Sequence, residues 1–269
     1  VHLGRPEIAD FGAAVDAAYA ASDEVVLEID PDGLDPDEIS EAIAAHAAIE
    51  PPLTLEDVLT PETYELLAAH LADANLELER VRHTQPWLIA LGIAQGSFAA
   101  QGLDQAYGVD RSIAARAARA GQSDAGEAKT VVALETLQFQ IEMLSGLPYD
   151  VQDWMLRDAL EPDATGGWSI GAILAAWKRG DDERLREIFL EEPSDARAAL
   201  YMERLVFERN ERMTDRLAEL AADGKSRFVV VGLAHMLGDR GIPALLARRG
   251  FRIQRVEDSI DPSAGSGVE

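Results

Sequence analysis

Three short runs of aliphatic, β-branched residues stand apart from a chain whose other apolar positions recur at helical spacing. They lie in Glu24–Asp30 (EVVLEID), Lys129–Thr136 (KTVVALET) and Arg227–Val231 (RFVVV). Such runs are the pattern of parallel strands buried on both faces. The third opens the stretch around which the chain is organised, RFVVVGLAHMLGDRGIPALLARRGFRIQRV. Gly232 ends the strand, a turn presents His235, and a second turn covers Leu237-Gly238-Asp239-Arg240-Gly241. Ile242–Arg249 then reads as a helix with Pro243 in its first turn, where a missing N–H costs nothing. Gly250 stands where a left-handed cap belongs, and Phe251–Val256 alternates like a returning strand. Strand, loop, helix and strand make a unit that is right-handed by default.

The same plan opens the chain. Val1-His2-Leu3-Gly4 resembles Ala234-His235-Met236-Leu237-Gly238, and helical spacing over Ile8–Ala21 leads into the first strand. A strand feeding His2 is therefore expected before residue 1. Between the strands the periodicity is helical: Glu38–Ala48, starts at Thr54 and Thr60-Pro61, Tyr64–Leu78, Leu88–Gln95, a helix ending near Arg119, and most of Leu137–Ala222. Ala120–Gly126 reads as an exposed loop. The expected architecture is α/β, one domain over residues 1–269, with a mixed, mostly parallel sheet surrounded by helices and large helical insertions between strands.

His2, Glu28, Glu135 and His235 each fall at or next to the carboxyl end of an expected strand. In open α/β sheets ligands bind at that edge. Two imidazoles and two carboxylates form an N/O set suited to Zn, Mn, Co or Fe(II), and equally to acid–base chemistry without metal. His46, His70 and His83 have no partner at useful spacing and are expected at the surface. Trp87, Trp154, Trp168 and Trp177 are expected to line the core or a cleft. Gly166-Gly167-Trp168-Ser169 is no phosphate loop, and no serine sits in a Gly-x-Ser-x-Gly elbow.

Composition narrows the partners. Against 24 Lys+Arg stand 49 Asp+Glu, a net charge of −25, which disfavours nucleic acid and anionic membrane surfaces as partners, since both need a basic footprint. The acidity suits a solvated surface in an exported, periplasmic or extracellular setting, with the cytoplasm as the alternative. There is no cysteine, hence no disulfide, zinc–thiolate site or cysteine nucleophile. No apolar run is long enough to span a bilayer.

On its motifs the sequence resembles the TraB/GumN/Tiki family, whose hallmark is a Gly-x-x-His motif near each end of the domain. Gly232-Leu233-Ala234-His235 is a complete copy, followed by Leu237-Gly238 and Gly241-Ile242-Pro243-Ala244-Leu245-Leu246; Val1-His2-Leu3-Gly4 holds the rest of the other. Leu27-Glu28-Ile29-Asp30, Gln85-Pro86-Trp87, Gly102-Leu103-Asp104, Leu134-Glu135-Thr136 with Gln140, and Glu208-Arg209-Asn210 match in order. The resemblance implies a fold related to erythromycin-esterase and ChaN-like proteins. Animal Tiki members are described as Mn- or Co-dependent proteases that trim the amino-terminal region of Wnt proteins, and one bacterial member sits among xanthan-synthesis proteins. Carried over by motif, His2, Glu28 and His235 are expected metal ligands and Glu135 a general base, with the roles of the two glutamates interchangeable. Arg209 is expected to steady an oxyanion or fix a carboxylate, with a plain salt bridge as the structural alternative, and Asn210 to hydrogen-bond or cap. The implied cofactor is a divalent metal, Mn or Co ahead of Zn or Fe, and the implied partner a peptide or protein substrate. A metal-free ester hydrolase and a non-catalytic accessory protein of envelope or polysaccharide biology are the alternatives.

Overall fold

The computed structural model describes residues 4–5, 11–120, 128–161, 170–190 and 195–256. Among these residues the elements run α1 (Ala13–Ala20), β1 (Glu24–Leu27), α2 (Pro36–His46), α3 (Leu55–Val58), α4 (Pro61–Asp73), α5 (Pro86–Ala100) and α6 (Val109–Ala120). Then come β2 (Thr130–Ala133), α7 (Leu137–Ser145), α8 (Tyr149–Leu160), α9 (Ile170–Arg179), α10 (Asp182–Leu190), α11 (Ala196–Met202), α12 (Glu208–Leu220), β3 (Arg227–Val230) and α13 (Ile242–Arg248). The fold is α/β, a small parallel sheet enclosed by helices.

The sheet has the order β2-β1-β3, and both pairings are parallel. Glu24 pairs with Thr130 on one side and Arg227 on the other, and Leu27 with Ala133 and Val230. This register aligns the strand ends. Beyond β2 the ladder continues, with Leu134 N–H donating to Leu27 O at 2.9 Å and Glu135 N–H to Glu28 O at 2.8 Å. Glu28 and Glu135 are thereby neighbours by backbone pairing alone.

Burial on both faces, expected of all three strands, holds for β1, where Val25, Val26 and Leu27 are fully buried. Among the described residues the flanking strands are edges. Val229 is 39% exposed and Thr130 and Ala133 lie open, because an edge strand has a neighbour on only one side. The returning strand expected at Phe251–Val256 does not form: the segment is extended coil with every residue exposed. Alternation alone does not make a strand, and this segment pairs with neither flanking strand. Arg255 instead donates to Gly180 O at 2.8 Å. Gly250 does take the left-handed conformation, φ 91°, at the end of α13.

The largest core lies away from the sheet. Ile49, Leu55, Leu67, Trp87, Val151 and Leu156 pack among α2 to α8, with α5 laid along α8. A second cluster joins Tyr19, Val25, Leu27 and Val230 to Ile113 and Ala117 of α6. Helix starts follow local chemistry. Asp35 and Thr60 cap α2 and α4 with Pro36 and Pro61 at the first helical position, and Thr54 with Asp57 makes a capping box at α3. Helix α4 ends at Asp73, short of the expected Leu78, because Asn75 turns left-handed at φ 57°.

The helix that begins at Asp195 runs on to Leu220 through one irregular stretch, a π turn at Glu203–Phe207 between α11 and α12. An inserted residue rotates the downstream helix by roughly 100° relative to the upstream one. Past it, the buried positions are Arg209, Asn210, Met213 and Thr214. An amphipathic stripe thus ends in a charged and an amide side chain aimed inward.

Candidate functional site at the carboxyl edge of the sheet

Glu28 leaves the central strand and is 5% exposed; Glu135 leaves its neighbour at 8%. Arg209 enters between them. Its Nη2 donates to Glu28 Oε2 and to Glu135 Oε2, each at 2.7 Å, and its Nε lies 3.0 Å from both oxygens of Glu135. The remaining arm, Nη1, donates to Leu205 O at 3.0 Å inside the π turn. Gln140 Nε2 donates to Glu135 Oε2 at 2.9 Å from the first turn of α7. Burial disfavours the charged guanidinium, but the hydrogen bonds and charge of Glu135, then of Glu28, outweigh it and raise the pKa of Arg209 above its ordinary value.

His235 sits in a single 3₁₀ turn, Leu233–Met236, whose N–H to Gly232 O bond of 3.0 Å folds the ring back over the strand end. The ring is 5% exposed. Its Nδ1 lies 2.6 Å from Asn210 Oδ1, while Asn210 Nδ2 donates to Arg240 O at 2.7 Å. The amide oxygen can only accept, so Nδ1 carries the proton and a neutral ring has its lone pair on Nε2. That Nε2 stands 3.9 Å from Glu28 Oε1. Asn210, fully buried, therefore sets the tautomer of His235.

Gly232 has a reason in space. Its N–H donates to Glu28 Oε1, and a Cβ built on it would meet that oxygen at 3.0 Å and the His235 ring at 3.3 Å. Its backbone is ordinary, φ −58° and ψ 148°. What the position excludes is a side chain wedged between glutamate and histidine.

Glu28, Arg209 and His235 form the polar floor of a cavity of about 440 Å³. Its walls are apolar, with Phe98, Leu103, Leu174, Phe189, Leu205 and Leu233 among them. Gly4 approaches from the amino-terminal side, exchanging backbone bonds with Asp104 at 3.0 and 2.9 Å next to Leu103. The structure thus brings together Glu28, Glu135, Arg209, Asn210 and His235; His2 lies outside the described residues.

The sequence model of the TraB/PrgY/gumN family matches residues 1–255. The chain belongs to that family. Comparison with curated proteins and comparison with solved structures give no match. In this TraB/PrgY/gumN chain the glycine and histidine of the second Gly-x-x-His motif act together: one yields the room, the other supplies the ring. Among the described residues no group of three or more His, Asp or Glu side chains is placed to hold a metal ion. His235 and Glu28 nonetheless offer one nitrogen and one oxygen donor, and a carbonyl or carboxamide oxygen behind Nδ1 is the support that metal-binding histidines use. The donor chemistry fits a borderline divalent cation as far as these residues extend. Sequence reasoning did not find the Asn210–His235 bond, the π turn or the apolar cavity. The first joins residues 25 positions apart with no local signal. The second is an irregularity that binary patterning smooths over.

Proposed function

We propose that this chain is a metal-dependent hydrolase acting on peptide bonds, with a peptide or protein as substrate. The observation that carries the reading is the His235 ring, held at Nδ1 by Asn210 so that Nε2 faces Glu28 Oε1 at 3.9 Å on the floor of a cavity. His235 Nε2, with His2 as its expected companion, would hold the cation, Mn or Co by family resemblance. When bound, such a cation polarises a carbonyl and acidifies water.

The two glutamates divide the remaining work. Glu28 lines the cavity, whereas Glu135 meets Arg209 through both oxygens and Gln140 through one. Glu28 is accordingly the carboxylate that takes the proton of the attacking water and returns it to the leaving amine. Glu135 anchors Arg209, and Arg209 holds Glu28 by the other oxygen. The sequence left the roles of the two glutamates interchangeable; this assignment makes Glu28 the base and gives Glu135 an anchoring part. An exported setting suits both the acid surface and the family resemblance.

Elemental analysis and peptide cleavage test the reading together. Chelator should abolish cleavage, and Mn or Co should restore it. His235→Ala should lose bound metal and activity. Glu28→Gln should retain most metal and lose rate by about 10²–10⁴-fold, and a Glu28→Gln protein that loses its metal instead makes Glu28 a ligand. Ester hydrolysis that continues in chelator, with no metal found, would replace this reading by metal-free acid–base chemistry on the same His235–Glu28 pair.

A further inference from the structure

The cavity above Glu28 and His235 is built with one kind of wall. Phe98 comes from α5, Leu174 from α9, Phe189 from α10, Leu205 from the π turn and Leu233 from the turn that carries His235. All five are only partly buried; Leu205, Phe189 and Leu233 pack in part against neighbouring core clusters and still present apolar surface to the space. The polar groups lie at the floor, where Glu28, Arg209 and His235 meet. Among the described residues, Tyr201 alone of the further lining side chains carries a polar atom, and burial raises its pKa, which keeps the hydroxyl protonated.

We propose that the substrate of this site carries a bulky apolar group next to the bond it breaks, seated in this cavity. The inference rests on the hydrolase reading and specifies its substrate class. At about 440 Å³ the space is far larger than water or a methyl group needs. Roughly 150 Å³ of apolar cavity already accommodates a benzene ring. A polar or charged group placed there would lose its water and find few partners, a cost that apolar groups do not carry. An apolar group gains roughly fourfold in affinity per methylene buried. The chemistry has two sources, a leucine- or phenylalanine-like side chain of a peptide, or a medium-length acyl chain.

Binding and turnover are read separately, on the metal-loaded protein. Saturation-transfer NMR would compare acetamide, butanamide and hexanamide with the N-acetyl amides of glycine, leucine and phenylalanine. Affinity should rise at least tenfold from the smallest to the largest member of whichever series is the true source. Leu174→Trp, which fills the cavity, should cancel the gain, and Leu174→Ala should move the optimum to a larger group. Melting curves of both variants identify any that fail to fold, and the opposite signs expected of the two guard against a trivial loss.

A rise in the acyl series alone assigns the acyl source, and a rise in the amino-acid series alone assigns the peptide source. Affinity independent of size, or unchanged by both Leu174 variants, overturns the proposal even if the protein hydrolyses peptides. Size-dependent binding that Leu174→Trp cancels, with no turnover under any metal, upholds the apolar site and defeats the hydrolase reading instead.

Discussion

Arg209 ties together three stretches of chain that share nothing in sequence: Glu28 after β1, Glu135 after β2 and Leu205 in the π turn. A guanidinium suits this place because its donors fan out in one plane, which an ammonium cannot copy. The trio is buried, so its worth is judged by what removal leaves behind. Arg209→Met keeps the volume but strands two adjacent carboxylates beneath the surface, a change expected to cost on the order of 3–5 kcal/mol. Carboxylates stranded in this way have folded pKa values raised above their unfolded ones. The variant should therefore recover stability as pH falls and the pair takes up a proton, whereas the parent should not. Denaturant unfolding of both proteins at pH 7 and pH 5 checks it. Equal stability at pH 7 would mean that Arg209 is an ornament of the surface charge.

At the scale of elements, the helix that begins at Ala196 carries the site. It starts on Asp195, whose side chain accepts the Arg197 N–H at 2.8 Å and pairs with the Arg197 guanidinium. The Arg197 side chain, then its backbone N–H, lowers the Asp195 pKa from 3.8 to about 2. With the folded value below the unfolded one, the contribution is complete above the unfolded pKa and is lost as pH falls through about 2. Asp195→Ala should cost about 1 kcal/mol at neutral pH, and the deficit should shrink across that acid window. A deficit of the same size at both ends of the window would show that the carboxylate charge is irrelevant to the cap. Much of this level was legible beforehand. Thr60 with Pro61 as a helix start and Gly250 as a left-handed cap are local chemistry, written within a few residues, whereas α2 starts at Pro36, two residues before the expected Glu38. Glu28, Glu135 and His235 were legible too, because buried runs locate strand ends and parallel strands align them. Asn210 with His235, and the five apolar walls, were not, because they depend on how helices dock. The lack of a strand at Phe251–Val256 belongs with these: a pleated pattern says which face is apolar and nothing about whether the segment docks on an edge.

For the molecule as a whole, the decisive quantity is the imbalance of 49 acidic against 24 basic residues. Even with every cation paired, an excess of −25 remains. The surface does pair many of its cations: Arg116 with Asp16 at 2.6 Å, Arg240 with Glu203 at 2.6 Å, and Arg249 with Asp215 at 2.5 Å. Exposed pairs of this kind are worth about 0–1 kcal/mol each, and salt weakens them. Salt also weakens the repulsion among the unpaired acids, which acts between all of them and favours expansion of the chain. The second effect should win, because the excess acids repel one another over a Debye length of about 30 Å at 0.01 M salt, which shrinks to about 10 Å at 0.1 M. The melting temperature should therefore rise as NaCl is increased from about 10 to about 300 mM, with sodium sulfate not required for the effect. The buried Arg209 trio, screened far less, should contribute almost nothing to that rise, so Arg209→Met should show a salt dependence parallel to the parent's. A melting temperature that falls over this range would mean that the surface ion pairs outweigh the net charge, and that the acidity of this chain is organised into stabilising networks instead of being a uniform solvated coat.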